Sequence, residues 1–278
     1  MSVNSKPFLK WVGGKRQLLP EILRRTPRDF NRYHEPFVGG GAVFFAMASA
    51  NGFSEPGTIN DFNQELVTCY EAVRDECGSL IIELNAHGDE HSENSSWYDS
   101  MRSLEFSPKT PKFARAARTI YLNKTCFNGL YRVNKKGKFN VPRGNYVNPK
   151  ICDADNLVAC SKALEMTDIR CSSFEYIRDE AKHYDFVYLD PPYVPIDMKK
   201  SFTAYTPGGF GMVQHQLLKE VCDDLTRKGV HWMLSNSAVP WVMETYKAYQ
   251  IQTVEANRAV NRDGQKRGKV SEVIITNY

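Results

Sequence analysis

Asp190-Pro191-Pro192-Tyr193 carries the sharpest chemical signal in the chain. It follows directly on Phe186-Val187-Tyr188-Leu189, an apolar run with the pattern of a short buried strand. Two consecutive prolines fix φ and remove two backbone donors, so carbonyls of the turn are left as acceptors. A carboxylate beside a backbone carbonyl suits a planar amino group whose lone pair is conjugated into a ring or an amide. Accepting both of its N–H bonds favours a more tetrahedral nitrogen with an available lone pair. Asp190 and the Pro191 carbonyl supply those acceptors, and Tyr193 supplies a face for stacking. Such a site works by positioning and electrostatics and requires no metal. Adenine N6 fits this chemistry and so does a glutamine amide; the four residues alone do not separate them. The bland alternative is a strand-ending Asp in a Pro-rich turn.

A second constellation looks built for a nucleotide-like group. Tyr33-His34-Glu35 reads as a strand, Pro36-Phe37-Val38-Gly39-Gly40-Gly41 as a turn, and Ala42 to Met47 as a helix start. Glycines there let backbone approach a ligand closely, and a helix N-terminus favours an anionic group such as a carboxylate. The spacing is not G-x-G-x-x-G, which disfavours a nicotinamide cofactor. Asp61, in Asn60-Asp61-Phe62-Asn63, lies about 20 residues further on at a second strand end, where an acid can accept from ribose hydroxyls. Turn formation and helix capping by Asp61 is the competing reading. Trp11-Val12-Gly13-Gly14-Lys15 adds an apolar ring that can act as a lid and a lysine that can pair with a carboxylate.

A third segment is basic. Tyr131 to Lys150 contains Arg132, Lys135, Lys136, Lys138, Arg143 and Lys150, no acid, and the aromatics Tyr131, Phe139 and Tyr146. Asn134-Lys135-Lys136-Gly137 reads as a hairpin turn. A basic ribbon with interleaved aromatics suits phosphate contact and entry into a major groove, whereas a plain charge run would be a solvated face. Arg115 and Arg118 fall on an expected exposed helix face. A second basic run, Arg258 to Lys269, is expected to be a loop that orders on nucleic acid.

These segments need a scaffold. Thr58-Ile59, Phe186 to Leu189, His231 to Leu234 and Glu272 to Thr276 read as strands, and 64–76, 175–183, 213–228 and 240–249 as helices. Short buried strands alternating with helices imply an α/β fold with a mostly parallel sheet. In such sheets ligands bind beyond the carboxyl ends of the strands, where the glycine turn, Asp61, Asp190 and Ser235-Asn236 all fall. A length of 278 residues suits one core, or a core with an inserted smaller domain. Hydrophobic residues at 42% and charged residues at 24% place the chain among ordinary globular proteins, and a net charge of +4 permits a polyanionic partner without requiring one. Seven cysteines, with no C-x-x-C pair, argue against a disulfide framework or a zinc site. No apolar run suggests a signal peptide or membrane span, so a cytoplasmic protein is expected.

Taken in order, Phe8-Leu9-Lys10-Trp11-Val12-Gly13-Gly14-Lys15, Glu35-Pro36-Phe37-Val38-Gly39, Asn60-Asp61-Phe62-Asn63, Phe127-Asn128-Gly129-Leu130-Tyr131-Arg132 and Asp190-Pro191-Pro192-Tyr193 resemble the Dam and DpnM type of DNA adenine-N6 methyltransferase, the D12 class. Arg16-Gln17-Leu18-Leu19-Pro20 and Leu234-Ser235-Asn236-Ser237 are closer to the DpnM branch. The resemblance spans residues 8 to 278. It implies a Rossmann-like catalytic domain, 1–66 and 151–278, using S-adenosylmethionine, with an inserted helical plus β-hairpin recognition domain, 67–150. It implies that Trp11, Lys15, Glu35, Pro36, Phe37, Gly39, Gly41, Asp61, Phe62 and Asp190 meet the cofactor, with Ser173 and Phe174 at its adenine. It implies contact of Lys10, Phe127, Asn128, Leu130, Arg132, Lys138, Pro142 and Arg143 with double-stranded DNA, recognition of GATC, and a target base that leaves the stack. Phe127 stands where the enterobacterial enzymes carry Tyr. Asn145 stands where they carry Arg, with Arg143 two residues earlier, which implies a rearranged phosphate anchor. A functional pairing with a restriction endonuclease and a monomeric or weakly dimeric state are further expectations. The rivals are an RNA adenine or protein glutamine methyltransferase, which usually carry Asn before the two prolines and lack the basic ribbon, and a non-catalytic nucleic-acid binder.

Overall fold

The structure, a computed structural model, describes residues 4–50, 52–195, 210–257 and 269–278. Of the basic run Arg258 to Lys269, all but Lys269 lies outside the described residues, and Lys269 pairs with Asn257 in a strand rather than a loop. In chain order the elements are α1 (Leu19–Arg25), β1 (Tyr33–Glu35), α2 (Ala42–Ala50), β2 (Thr58–Asn60), α3 (Gln64–Asp75), α4 (Cys77–Glu93), α5 (Trp97–Ser103) and α6 (Lys112–Thr125). A 3-10 turn at Phe127–Gly129 precedes α7 (Ala154–Leu164) and β3 (Asp168–Arg170). A second 3-10 turn, Phe174–Tyr176, leads into α8 (Ile177–Glu180), β4 (Phe186–Leu189), α9 (Met212–Arg227), β5 (His231–Ser237), α10 (Pro240–Thr245), β6 (Gln250–Asn257) and β7 (Lys269–Thr276). Among the described residues no helix is long and apolar enough to cross a membrane.

The chain divides into two compact units. One takes the chain up to Gly14, Val38–Gly52 and Asp61–Cys171; the other takes Lys15–Phe37, Phe53–Asn60 and Ser172–Tyr278.

The second unit holds a sheet in the order β2-β1-β4-β5-β7-β6. Strands β2, β1, β4 and β5 are mutually parallel, and β7 runs antiparallel to both β5 and β6. This is the mostly parallel, Rossmann-like α/β sheet expected from the alternation of strands and helices. All four residues of β4 are buried, which is why it reads as a continuous apolar run rather than an alternating one. On one face, Val187, Leu189, Trp232, Leu234, Val273 and Ile275 pack against α9, which presents Leu218, Val221, Cys222 and Leu225 at helical spacing. Strand β6 is an addition to the strands read from the sequence. Its Gln250-Ile251-Gln252-Thr253 is polar at alternate positions, and its described pairing is to β7 on one side only. An edge strand lacks the apolar run that marks a central one.

The first unit is helical, with α6 packed among α3, α4 and α5. Ala116, Ala117, Thr119, Ile120, Tyr121, Leu122 and Asn123 are all buried on it, so the helix has little solvent face. The exposed face expected for Arg115 and Arg118 is therefore absent. Arg115 pairs with Glu65 at 2.7 Å. Arg118 donates to the carbonyls of Met101 (2.7 Å) and Arg102 (3.1 Å), satisfying the C-terminal end of α5.

Candidate active site

Parallel pairing brings the carboxyl ends of β1, β2, β4 and β5 to one edge of the sheet. Leu189 stands opposite Leu234, so Asp190 emerges beside Ser235-Asn236-Ser237. The chain after Tyr193 is fastened there. Asn236 Oδ1 accepts from the Val194 amide at 3.0 Å, and Ser237 Oγ donates to the Val194 carbonyl at 2.5 Å. One layer below, the Tyr188 hydroxyl and Ser235 Oγ are 2.7 Å apart.

Lys15 Nζ lies 2.7 Å from Asp190 Oδ1 and 4.7 Å from the centre of the Tyr193 ring. The Tyr193 hydroxyl donates to Glu272 Oε2 at 2.8 Å. Burial pushes the Asp190 carboxyl up to about 6; the Lys15 ammonium pulls it down and the Glu272 carboxylate adds to the rise. Burial and the neighbouring Asp190 hold the Tyr193 hydroxyl well above the usual phenol range, so it stays a neutral donor. Pro191 is buried and Pro192 exposed.

The remaining expected residues of this unit lie in support of the same edge. Glu35 is buried and accepts from the Tyr33 hydroxyl at 2.6 Å. The Pro36 carbonyl accepts from Asn60 Nδ2 at 2.9 Å, and Asn60 Oδ1 accepts from the Ser172 amide at 2.9 Å. Asn60 thus ties three loops together. Phe37 packs on Phe174 with ring centres 5.3 Å apart, and Phe174 is largely within the core. Ser173 Oγ accepts from the Glu175 amide at the start of the 3-10 turn.

In the first unit the glycine turn and Asp61 come together. Asp61 Oδ2 accepts from the Gly39 amide at 3.1 Å, and Oδ1 accepts from the Asn63 amide at 2.9 Å. Burial raises the Asp61 carboxyl while these backbone bonds oppose the rise. The cap of α3 is Asn63, whose side chain accepts from Leu66, so Asp61 ties the glycine turn to the loop before that helix. Phe62 beside it is 77% exposed. Trp11 lies along the turn. A Cβ on Gly39 would come 3.2 Å from its Cδ1, and one on Gly40 would come 3.1 Å from its Cβ. Trp11 also stacks on Tyr131, ring centres 5.2 Å apart. The glycines make room first for the protein's own tryptophan, a requirement that spacing alone does not reveal.

Gly41 is the tightest position of the turn. Its φ is +72°, and a Cβ would sit 2.6 Å from the Tyr70 hydroxyl and 2.9 Å from Phe45 Cε2. Both rings are buried, so neither can yield. Gly41→Ala is expected to cost about 2–4 kcal/mol from overpacking plus left-handed backbone strain. A urea titration of the two proteins measures it, and an unchanged midpoint would show that the turn relaxes.

The basic segment is likewise placed in the first unit. Asn134 Oδ1 accepts from the Lys136 and Lys138 amides, Gly137 has φ +74°, and Asn140 N donates to the Arg132 carbonyl. The turn is therefore the expected hairpin, but its strands reduce to single bridges, Val133 with Phe139 and Cys126 with Arg143. Its isolation from acids does not survive folding: Lys138 pairs with the distant Glu105, and Lys150, at the segment's end, with Asp153 three residues on. Arg132 Nε donates to Asn140 Oδ1 at 2.7 Å, and Arg143 donates to the Ser95 carbonyl at 3.0 Å. Phe127 is 52% exposed, Asn128 adopts φ +56°, and Pro142 is exposed, its carbonyl accepting from the Phe127 amide. Leu130 is half-buried. Lys10 is brought onto this segment: Nζ is 3.3 Å from the Tyr146 hydroxyl and 4.5 Å from its ring centre, and Asn123 brackets the Lys10 backbone with two 2.8 Å bonds.

Residues 11–260 match the family model described as D12 class N6 adenine-specific DNA methyltransferase. The chain belongs to that family. As a D12 methyltransferase it is an enzyme that modifies adenine at N6 in DNA. It is 43% identical over 281 residues to type II methyltransferase M1.LlaDCHI of Lactococcus lactis subsp. cremoris, covering 99% of this chain and 96% of that protein. It is 40% identical to type II methyltransferase M.MjaIII of Methanocaldococcus jannaschii, covering 98% and 99%. To the DNA adenine methylase of Vibrio cholerae serotype O1 it is 31% identical, covering 97% and 95%. Two partners of the methyltransferase motifs emerge only from the structure. Tyr131 reads in the sequence as an aromatic of the basic ribbon, and Glu272 only as the start of a strand. An acid leading the otherwise apolar run Val273-Ile274-Ile275 is the signal available for Glu272.

Proposed function

We propose that this methyltransferase uses S-adenosylmethionine to methylate adenine N6 within GATC in double-stranded DNA. The observation that carries the reading is Asp190, held by Lys15 beside the Tyr193 ring at the end of β4. There Asp190 accepts a hydrogen bond from the N6 amino group, the Pro191 carbonyl accepts a second, and Tyr193 stacks on the base. A base in a duplex is beyond reach of this loop, so the target flips out, with the exposed Phe127 ring as the wedge.

S-adenosylmethionine supplies an electrophilic methyl group. The residues fit such a donor: Asp61 keeps lone pairs for ribose hydroxyls beyond its two backbone bonds, the exposed Phe62 ring lies next to it in the chain, and Trp11 lines the glycine turn. Glu35, Pro36, Phe37, Gly39, Gly41, Ser173 and Phe174 complete the proposed donor contacts. The catalytic part is assigned to 1–66 and 151–278 and DNA recognition to 67–150. Lys10, Asn128, Leu130, Arg132, Lys138, Pro142 and Arg143 contact the duplex. Relatives named type II methyltransferases support a cytoplasmic role in protecting DNA alongside a restriction endonuclease.

Labelled S-adenosylmethionine and duplexes with and without GATC test the reading. Label in N6-methyladenine of the GATC duplex alone is expected; equal label in both duplexes, or none in either, refutes it. Lys135 and Lys136 are exposed at the hairpin tip. The double variant Lys135→Ala/Lys136→Ala is expected to reduce the slope of log affinity against log salt by about 1 per lysine. An unchanged slope would remove the hairpin tip from the DNA interface.

A further inference from the structure

We propose that Glu272 is a positioning residue of the methyl-transfer site, holding the Tyr193 ring by its hydroxyl and thereby setting the plane on which the target adenine stacks. The inference rests on the reading of Asp190-Pro191-Pro192-Tyr193 as the catalytic loop.

Glu272 lies on β7, paired with both β5 and β6: Ser237 stands opposite it on one side and Val254 on the other. The next three residues, Val273, Ile274 and Ile275, are at most 1% exposed. An acid beginning such a run is costly unless it is hydrogen-bonded. Val273 and Ile275 face the α9 side of the sheet with Val187 and Leu189. Alternation along each strand therefore puts Glu272 on the opposite face, together with Tyr188 and Ser235. The 2.8 Å bond from the Tyr193 hydroxyl is what that placement achieves.

Tyr193 is then held at two points. Its ring has the Lys15 ammonium against it at 4.7 Å, and its rim is fixed by Glu272. In the proposed reading the target base stacks on this ring. The same arrangement gives the tyrosine hydroxyl a purpose that stacking does not, since phenylalanine would stack as well. The charged and titratable groups around Asp190 are Lys15, Tyr193, Tyr188, Glu272 and, through Tyr188, Glu35. Among these Glu272 is a carboxylate that raises Asp190, so its charge and its hydrogen bond can be separated by substitution.

Glu272→Ala and Tyr193→Phe are each expected to lower kcat/KM for methyl transfer to a GATC duplex by about ten- to a hundredfold, as loss of a hydrogen bond to a charged group does. The double variant should lose no more than either single one, because both remove one bond. Glu272→Gln keeps an acceptor and should recover most of the loss. It should also move the acidic limb of the rate–pH profile below that of the native enzyme, since a charge that raises Asp190 is gone. Multiplying losses in the double variant overturn the proposal, as does a Gln variant that matches Ala and leaves the pH limb in place. If Glu272→Ala fails to fold, Tyr193→Phe and Glu272→Gln are compared instead: a Phe variant that keeps the native plateau rate, or a Gln variant that loses as much as Phe, overturns it. Asp190→Ala is measured in parallel. Turnover by that variant would sink the catalytic reading itself, a result distinct from any outcome at Glu272.

Discussion

Asp190→Ala is expected to lower methyl transfer by about 10³-fold or more, the loss seen when a preorganised group acting on the transition state is removed. In the proposed reading the carboxylate accepts from the amino nitrogen as it becomes tetrahedral; Lys15 lies 2.7 Å away. Asp190→Asn keeps an acceptor oxygen but not the charge, and should lose less than Asp190→Ala. The two variants also test an energetic consequence of the site. Burial raises the Asp190 carboxyl to about 6, above its unfolded value near 3.8. The folded chain therefore holds that proton more tightly than the unfolded one. The stabilisation is fully present below about pH 4 and is lost as pH rises through about 6, amounting to about 3 kcal/mol at neutrality. Asp190→Asn removes the ionisation and should be more stable than the native protein at pH 7.5, with the difference closing toward pH 4. Urea midpoints at the two pH values measure this. A native-like rate in Asp190→Ala would remove Asp190 from catalysis, and equal midpoints at both pH values would show that its ionisation carries no strain.

Lys15→Met is expected to produce the second large effect, and one that depends on pH. Burial raises Asp190 and Lys15 opposes that rise. Without the ammonium the carboxyl titrates above its present value near 6. At pH 7 a larger share of the enzyme then holds Asp190 protonated and unable to accept from the amino group. Activity should fall by about tenfold near neutrality and recover as pH is raised, because moving a carboxyl by about 1.4 kcal/mol changes its ionisation equilibrium tenfold. A profile of kcat/KM from about pH 5.5 to about 9.5 shows the limb moving upward. A loss equal at every pH would mean that Lys15 serves binding alone, as expected for a residue whose only partner is the methyl donor. The pH dependence thus separates a lysine that controls the catalytic carboxylate from one that merely receives a ligand.

Much of this site is legible in the sequence because its parts are local. Asp190-Pro191-Pro192-Tyr193, the glycine turn and Asp61 each declare themselves within a few residues, by proline stiffness, by lost side chains and by position after an apolar run. The parallel sheet follows from the alternation of such runs with helices. The departures are of two kinds. Strand β6 carries the alternation of an edge strand, a weaker signal than the apolar runs that mark the central strands. Arg115 and Arg118 look exposed because a helix wrapped by three others shows no clean amphipathic stripe; their charges are taken up by Glu65 and by the end of α5. The acid-free basic segment is a fact of its own residues: Glu105 reaches Lys138 from a distant part of the first unit, and Asp153, just beyond the segment, takes up Lys150.

The class of chemistry, the family, the parallel α/β scaffold and the strand ends that carry the candidate site residues can all be read from the order of residues. Strand periodicity, proline and glycine act over short stretches of chain, so their consequences are written locally. What the reactive groups touch is settled by folding. Lys15 and Asp190 are separated by more than half the chain and meet at 2.7 Å. Glu272, further on again, caps the Tyr193 hydroxyl, and Trp11 occupies the space that the glycines leave. Charges move one another's protonation through distance in space. A buried carboxylate near pH 6 is the sum of a desolvation and two such distances, none of which a linear sequence contains.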